Sequence, residues 1–320
     1  MPCVTPVGKQ PPADERVAVE VAGRRLTLSN LSKVLYPAAG FTKAEVIDYY
    51  TRAAPAVLAA TAHRALTTVR YPNGVDGHAF FEKNAPAHTP EWVRTVTLPA
   101  PGSSKDRGFI DYVVLDDLPT LVYEANLAAL ELHVPQWRVD DHGRPLPPDL
   151  LVIDLDPGPP AGVVECAQVA LLLRERLAVD GLRGWPKTSG SKGLQISVPI
   201  READEEQVAG YARSLATELA HDHPTLVVAT MTKSQRTGRV YLDWSQNRAA
   251  KTTVAAYSLR ARERPTVSTP LTWLEVESAT SPIDLTFTAP DVLDRLDRLG
   301  NLQADLGADP RPLPRQVTAE

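Results

Sequence analysis

The stretch LLVIDLDPGPP, residues 150–160, decides the fold. It begins as an apolar run of strand type and ends in two aspartates, Asp154 and Asp156, just ahead of Pro157 and Gly158. Side chains alternate along a strand, so the two carboxylates share a face, about 6.5–7 Å apart at a rise of about 3.3 Å per residue. Two readings stay open on this stretch alone. The pair can approach divalent ions of the kind that organise phosphoryl transfer. Equally, Asp156 can open the Pro157–Gly158 turn while Asp154 is a hydrogen-bonded strand residue.

Two more strands read outward from it, LQISV at 194–198 and RVYLD at 239–243. In the second, Val240 and Leu242 face one way and Tyr241 and Asp243 the other. A third strand-end acid is harder to explain as a turn. Oxygen-only ligands with no His or Cys cluster select hard ions, Mg²⁺ or Mn²⁺, and argue against zinc. Helices fit 119–133, 161–179 and 204–220, the second closed by Gly181 and the third opened by Asp204. Strands and helices are interleaved, which gives an α/β or α+β class with a central mixed or antiparallel sheet holding the three aspartates.

Upstream, VAVEVAGRRLTLS (17–29) alternates around a Gly23 turn as a strand pair. Thr42 and Glu45 form a capping-box pattern ahead of a helical face running from Val46 to Leu58, which Pro55 should kink. Residues 1–16 and 301–320 read as tails of low order, leaving a folded part of about 17–300. Within it, an N-terminal module of about 17–145 precedes a catalytic core of about 146–300.

Between the acids sits KTSGSKGLQISV (187–198), where backbone N–H groups freed by Gly190 and Gly193, the Ser189 hydroxyl and the Lys192 charge suit a triphosphate. The spacing of a Walker loop is missing and the loop opens a strand, so a tight surface turn is the other reading. Gln195 and Ser197 point to one face of LQISV, which puts Gln195 on the side of the metal acids.

The chain of 320 residues, 43% hydrophobic and 23% charged, has the composition of a globular protein. It has no apolar run long enough for a membrane span and no signal-peptide stretch, so a cytoplasmic, nucleoid-associated protein is expected. Cys3 and Cys166 read as a spare thiol and a core residue, neither a disulfide nor a zinc site. The net charge of −5 gives no blanket attraction for a polyanion. Between Lys233 and Arg264, however, eight Lys or Arg stand against two acids, Asp243 and Glu263, a local basic patch.

LSKVLYP (31–37) with FTKAEVIDYY (41–50), RYPNGVDGHAFFEKNAP (70–86), AALELHVPQWR (128–138), DLDPG (154–158), TSGSKGLQ (188–195), MTKSQRTGRVYLDWSQN (231–247) and KTTVAAYSLRAR (251–262) follow one another in this chain. In that order they resemble the polymerase (primase-like) domain of bacterial ligase D and its stand-alone relatives, within the archaeo-eukaryotic primase superfamily. The resemblance implies a two-metal polymerase of bacterial non-homologous end joining that fills gaps and extends ends. Such enzymes usually favour ribonucleotides and Mn²⁺, and work with the end-binding protein Ku.

Carried over by position, the resemblance makes Asp154, Asp156 and Asp243 the metal triad for two ions. It makes Ser189, Lys192 and Arg260 triphosphate contacts, with His133, Gln246 and Gln195 lining the nucleotide pocket. Lys33, Lys43 and Asn30 match a pocket for a downstream 5′-phosphate. Phe80 and Phe81 match aromatics that pack on bases near Lys83, and Arg236 falls among the DNA contacts. A lysine in the first turn of a helix, as Lys43 is, opposes the helix dipole, which favours a function over a structural role. The superfamily commonly carries His where this chain has Gln195, so a titrating imidazole is absent or moved. A chain of this extent would carry neither ligase nor phosphoesterase module, leaving sealing to a separate DNA ligase. Two other readings remain: a primase or primer-extending polymerase of replication or damage tolerance, and a non-catalytic DNA-end or Ku-docking module.

Overall fold

The computed structural model describes residues 16–99 and 108–314. Most of the expected N-terminal tail, with Cys3, and residues 315–320 lie outside the described residues.

The strand Leu150–Pro157 is the middle of a five-stranded sheet. Leu194–Pro199 pairs antiparallel on one side, followed by Trp185–Thr188; Val240–Asp243 pairs antiparallel on the other, followed by Val227–Val228, which runs parallel to it. The sheet is therefore mixed. On one face, Leu151, Ile153, Leu155, Leu194, Ile196, Val198, Val240 and Leu242 pack against the helices Val163–Val179 and Glu205–Asp222. The period-2 alternation thus gives that face to the core and leaves the other for the aspartates. Both helices end as their sequence directs. Asp204 accepts from the Gln207 N–H and opens the second, while Gly181, at φ +70°, turns the chain after the first.

A second sheet, in the order Thr253–Val254, Ala129–Val134, Thr67–Arg70, Phe80–Glu82, packs under the helices Lys43–Arg52, Ala54–Thr61 and Leu118–Asn126. The Thr42–Glu45 capping box forms, and Pro55 falls in the first turn of the helix that begins at Ala54. Tyr49 and Tyr50 are buried and donate their hydroxyls to the carbonyls of Tyr257 and Leu130, tying these helices to the late part of the chain. The strand pair Arg16–Val21 and Arg24–Ser29 closes around Gly23.

Three expectations are corrected. The helix expected over 119–133 stops at Asn126, and 129–134 is a strand, because Ala128 adopts a left-handed φ of 59° that ends the helix. The catalytic core does not hold all of 146–300: the Thr253–Val254 strand joins the N-terminal sheet, and Ala255, Tyr257, Leu259, Val267 and Val292 pack in its core. The C-terminal tail is not loose over 301–314, where Asn301 accepts from the Tyr257 hydroxyl and Arg311 bridges Ile200 beside the catalytic sheet. Cys166 is a buried free thiol, as read. No helix among the described residues is long and apolar enough to cross a membrane.

Candidate active site

Strand register assembles the acids. Asp154 lies directly across from Asp243 on one side and from Gln195 on the other, while Asp156 faces Tyr241. Cross-strand partners share a face, and so do residues two apart, so the three carboxylates and Gln195 project from the side of the sheet that carries no helix.

Each carboxylate is held by protein donors. Gln195 Nε2 donates to Asp154 Oδ1 at 3.0 Å. Asp243 accepts from the Ser245 N–H and hydroxyl, the Tyr241 hydroxyl and Gln246 Nε2, the last at 2.7 Å. Asp156 is exposed and meets Arg236 at 3.3 Å, with that guanidinium stacked 3.8 Å from the Tyr241 ring. Held this way, the three do not close into a metal cage, and no such cluster occurs among the described residues. Their chemistry nevertheless fits a hard divalent cation. Burial pushes the Asp154 carboxyl up to about 6; Asp243 and Asp156 add like-charge repulsion, against the Gln195 hydrogen bond and the Lys187 charge. A cation among these oxygens would relieve that repulsion.

The loop after Thr188 is built around Ser189. Its N–H donates to the Gly193 carbonyl at 2.9 Å, and its hydroxyl oxygen accepts from the N–H groups of Ser191 and Gly193. The tight turn and the candidate phosphate loop are therefore the same object. Gly190, at φ +67°, lets Arg260 lie against it: a Cβ there would sit 2.7 Å from Arg260 Cγ. Arg260 donates to the Ser189 carbonyl at 2.8 Å and pairs with Glu131 at 3.1 Å, and Glu131 also meets His133 at 3.0 Å. Burial works to raise the Glu131 carboxyl, but His133, Arg260 and the Ala261 N–H outweigh it and hold it down at about 2. Lys192 is exposed at the rim of the loop.

Lys187 connects the two sheets. Its ammonium is buried and donates to Gln195 Oε1 at 2.5 Å, Ser268 Oγ at 2.7 Å and the Val254 carbonyl at 2.9 Å. Burial pulls its pKa down to about 7, against the pull of Asp154. Val254 pairs with His133 across the second sheet, so the acid site and the Glu131–Arg260 group are linked through contiguous partners.

A second cluster lies under the N-terminal hairpin. The Lys33 N–H donates to the Asn30 carbonyl, the Lys43 N–H to the Lys33 carbonyl, and Lys33 Nζ reaches Asn73 at 3.0 Å. Lys43 Nζ is buried on the Ser29 carbonyl at 2.6 Å; burial, then Lys33 and Arg70, pull its pKa down to about 8. Phe80 and Phe81 are 42% and 57% exposed on the edge strand Phe80–Glu82, which excludes a core role for them. Phe81 and Lys83 line a groove of about 1650 Å³ that runs past Trp137 and Ala249, and burial followed by Lys251 lowers the Lys83 pKa.

With this geometry in view, residues 42–303 match the family described as LigD, primase-polymerase domain. The chain belongs to that family. It is 43% identical over 286 residues to the multifunctional non-homologous end joining protein LigD of Mycolicibacterium smegmatis, covering 89% of this chain and 36% of that protein. It is 30% identical to the bifunctional LigD of Bacillus subtilis, covering 91% of this chain and 45% of that one. The chain thus spans less than half the length of these curated relatives. Among solved structures, the polymerase domain of Mycobacterium tuberculosis ligase D in complex with DNA superposes with a TM-score of 0.83 at 41% identity, covering 91% of this chain and 99% of that one.

Most of the expected residues fall into three groups within this domain, with Lys192 exposed on its loop and Phe80, Phe81 and Lys83 apart from them at the edge strand and groove. Asp154, Asp156, Asp243, Gln195, Gln246 and Arg236 meet on the face of the five-stranded sheet opposite its two helices. Ser189, Arg260 and His133 meet around Glu131. Lys33, Lys43 and Asn30 meet beside Ser29 and Asn73. Sequence reading missed Lys187, Glu131 and Asn73. Glu131 stands out as a charged residue inside the otherwise apolar strand pattern ALELHV, though nothing local gives its role, and Lys187, in WPKT, carries no such signal.

Proposed function

We propose that this protein is a nucleotidyltransferase that adds nucleotides to the 3′-ends of DNA in bacterial non-homologous end joining, filling gaps and extending ends. The observation that carries the reading is the register that sets Asp154 against Asp243 with Asp156 on the same face, in a chain of the LigD primase-polymerase family. Asp154, Asp156 and Asp243 would hold two Mn²⁺ or Mg²⁺ ions. When bound, such ions acidify and align the primer 3′-hydroxyl and neutralise charge on the triphosphate.

The chain's own residues do the binding. Arg260, Lys192 and the Ser189 hydroxyl would receive the triphosphate, with His133 and Gln246 beside it; Glu131 keeps the Arg260 fork in place. Lys33, Lys43 and Asn30 receive the 5′-phosphate across a gap, and the exposed faces of Phe80 and Phe81 take unpaired bases without sequence preference. Ribonucleotides are the proposed substrate, Ku and a separate DNA ligase the proposed partners, and the cytoplasm the proposed compartment.

Extension of a gapped duplex tests this, with and without a downstream 5′-phosphate, in Mg²⁺ or Mn²⁺, with rNTPs or dNTPs. Addition that is fastest with the 5′-phosphate, Mn²⁺ and rNTPs is expected. Equal rates with and without the phosphate would favour a primer-extending polymerase outside break repair, and no addition in any arm would sink the catalytic reading.

A further inference from the structure

We propose that Lys187 is a positioning residue for the acid site: its ammonium fixes which end of the Gln195 amide faces Asp154, and so sets how Asp154 is presented to a divalent cation. This rests on the reading of the three aspartates as metal ligands.

With Lys187 as an ammonium, hydrogen-bond accounting gives the amide orientation. Lys187 Nζ has three partners, the Val254 carbonyl, Ser268 Oγ and the Gln195 amide. The Val254 carbonyl can only accept. The Ser268 hydroxyl spends its proton on the Thr188 carbonyl at 2.9 Å, so it too accepts from lysine. As an ammonium, Lys187 has one N–H left after these two acceptors, and that N–H needs an acceptor in its third partner. Gln195 Oε1 fills that place, and the amide NH₂ is left for Asp154 Oδ1.

A glutamine alone is ambiguous, since its two ends are nearly the same size. Turned over, this one would set a carbonyl oxygen against a carboxylate and an NH₂ against an ammonium, two repulsive contacts in a buried place. Lys187 is what forbids that state. It is 4% exposed, and a buried cation is costly unless every donor is used, so packing alone gives no reason for a lysine rather than a methionine here. The orientation of the Gln195 amide must be supplied from outside, and Lys187 supplies it.

The test is Mn²⁺ binding to the purified protein, read from the free-ion electron paramagnetic resonance signal, with thermal melts to confirm folding. The sign of the effect separates the roles. Removing a merely nearby positive charge should tighten a cation, whereas removing a positioning group should loosen it. Lys187→Met is expected to weaken Mn²⁺ binding about tenfold, the scale of losing one hydrogen bond to a charged group. Gln195→Ala should give the same loss, and the double variant no more than either single one. Should Lys187→Met not fold, Ser268→Ala removes one of the three acceptors and is expected to weaken binding about twofold to threefold, a milder form of the same hydrogen-bond loss. Unchanged or tighter Mn²⁺ binding in a folded Lys187→Met, or in Ser268→Ala if that is the variant read, overturns the proposal, as do additive losses in the double variant. Asp154→Asn separates the underlying reading: if it binds Mn²⁺ as the unaltered protein does, the acids are not the metal site and that reading fails first.

Discussion

Among the proposed triphosphate contacts a carboxylate is unexpected, yet Glu131 sits between Arg260 and His133 and accepts from the Ala261 N–H as well. Its value is orientation: a guanidinium held by one acid and one carbonyl presents its remaining N–H groups in a fixed direction. Glu131→Gln should therefore raise the KM for the incoming nucleotide about tenfold with a smaller change in kcat, as expected from weakening one charge-assisted pair; steady-state extension at varied rNTP checks it. Loss confined to kcat would place Glu131 elsewhere in the reaction. Asp154→Ala, Asp156→Ala and Asp243→Ala should each abolish addition while leaving DNA affinity, measured by fluorescence anisotropy, largely intact, because in the proposed function the acids would hold metals and the lysines phosphates. A variant that still extends near the unaltered rate leaves the triad. The acids were legible in sequence because they sit at strand ends, where alternation fixes their face. The roles of Glu131 and Lys187 were not, since they depend on partners far along the chain, Arg260 and Ala261 for the first and Val254 and Ser268 for the second.

At the scale of elements, the segment 119–134 shows where sequence reading runs out. TLVYEANLAALELHV has no glycine or proline to punctuate it, and a short apolar run fits a helix or a buried strand equally. The break comes from Ala128 in a left-handed conformation, for which alanine gives no warning. The helix that ends there carries Glu124, which is buried; burial, set against Arg70 and reinforced by Glu82, raises its pKa to about 7. An unfolded glutamate titrates near 4.3. Between these values the folded chain binds the proton more tightly, so Glu124 makes stability fall as pH rises from about 4.3 to 7, by at most about 4 kcal/mol, and adds no slope above that. Glu124→Gln should stabilise the protein at pH 8 more than at pH 5, which melting temperatures across that range would reveal; an equal shift at both ends would deny the buried proton. Glycine acts at this scale too. A Cβ on Gly158 would lie 2.0 Å from the Arg236 carbonyl oxygen, so Gly158→Ala must displace that segment and loosen Arg236 from Asp156. The expected cost is about 1–3 kcal/mol of stability, typical of overpacking, with reduced extension; calorimetry and extension assays measure the two.

Across the whole molecule, the three groups of candidate residues are carried by different parts of the fold: the catalytic sheet, the seam between the two sheets, and the N-terminal hairpin with its first helix. A substrate touching all three has to be extended, as a gapped duplex is. Lys33→Ala combined with Lys43→Ala should remove the advantage of a 5′-phosphorylated downstream strand and lower the salt slope of binding by about 2, since up to two fewer counterions are released. Extension of a simple primer–template should persist. Filter binding across a salt series checks the slope, and equal loss on both substrates would show that the pair is no phosphate pocket.

The pairing of Asp154 with Asp243 also makes the site a matter of frame as much as of identity. Deleting one residue between Val240 and Leu242 would leave every acid in the sequence, yet the pleat would turn the carboxylate of Asp243 into the helix layer and bring an apolar side chain to the open face. Substitutions elsewhere on that strand can be absorbed; a shift of one position cannot. In a sequence collection of such enzymes, the spacing along this strand should therefore vary less than the residues that occupy it.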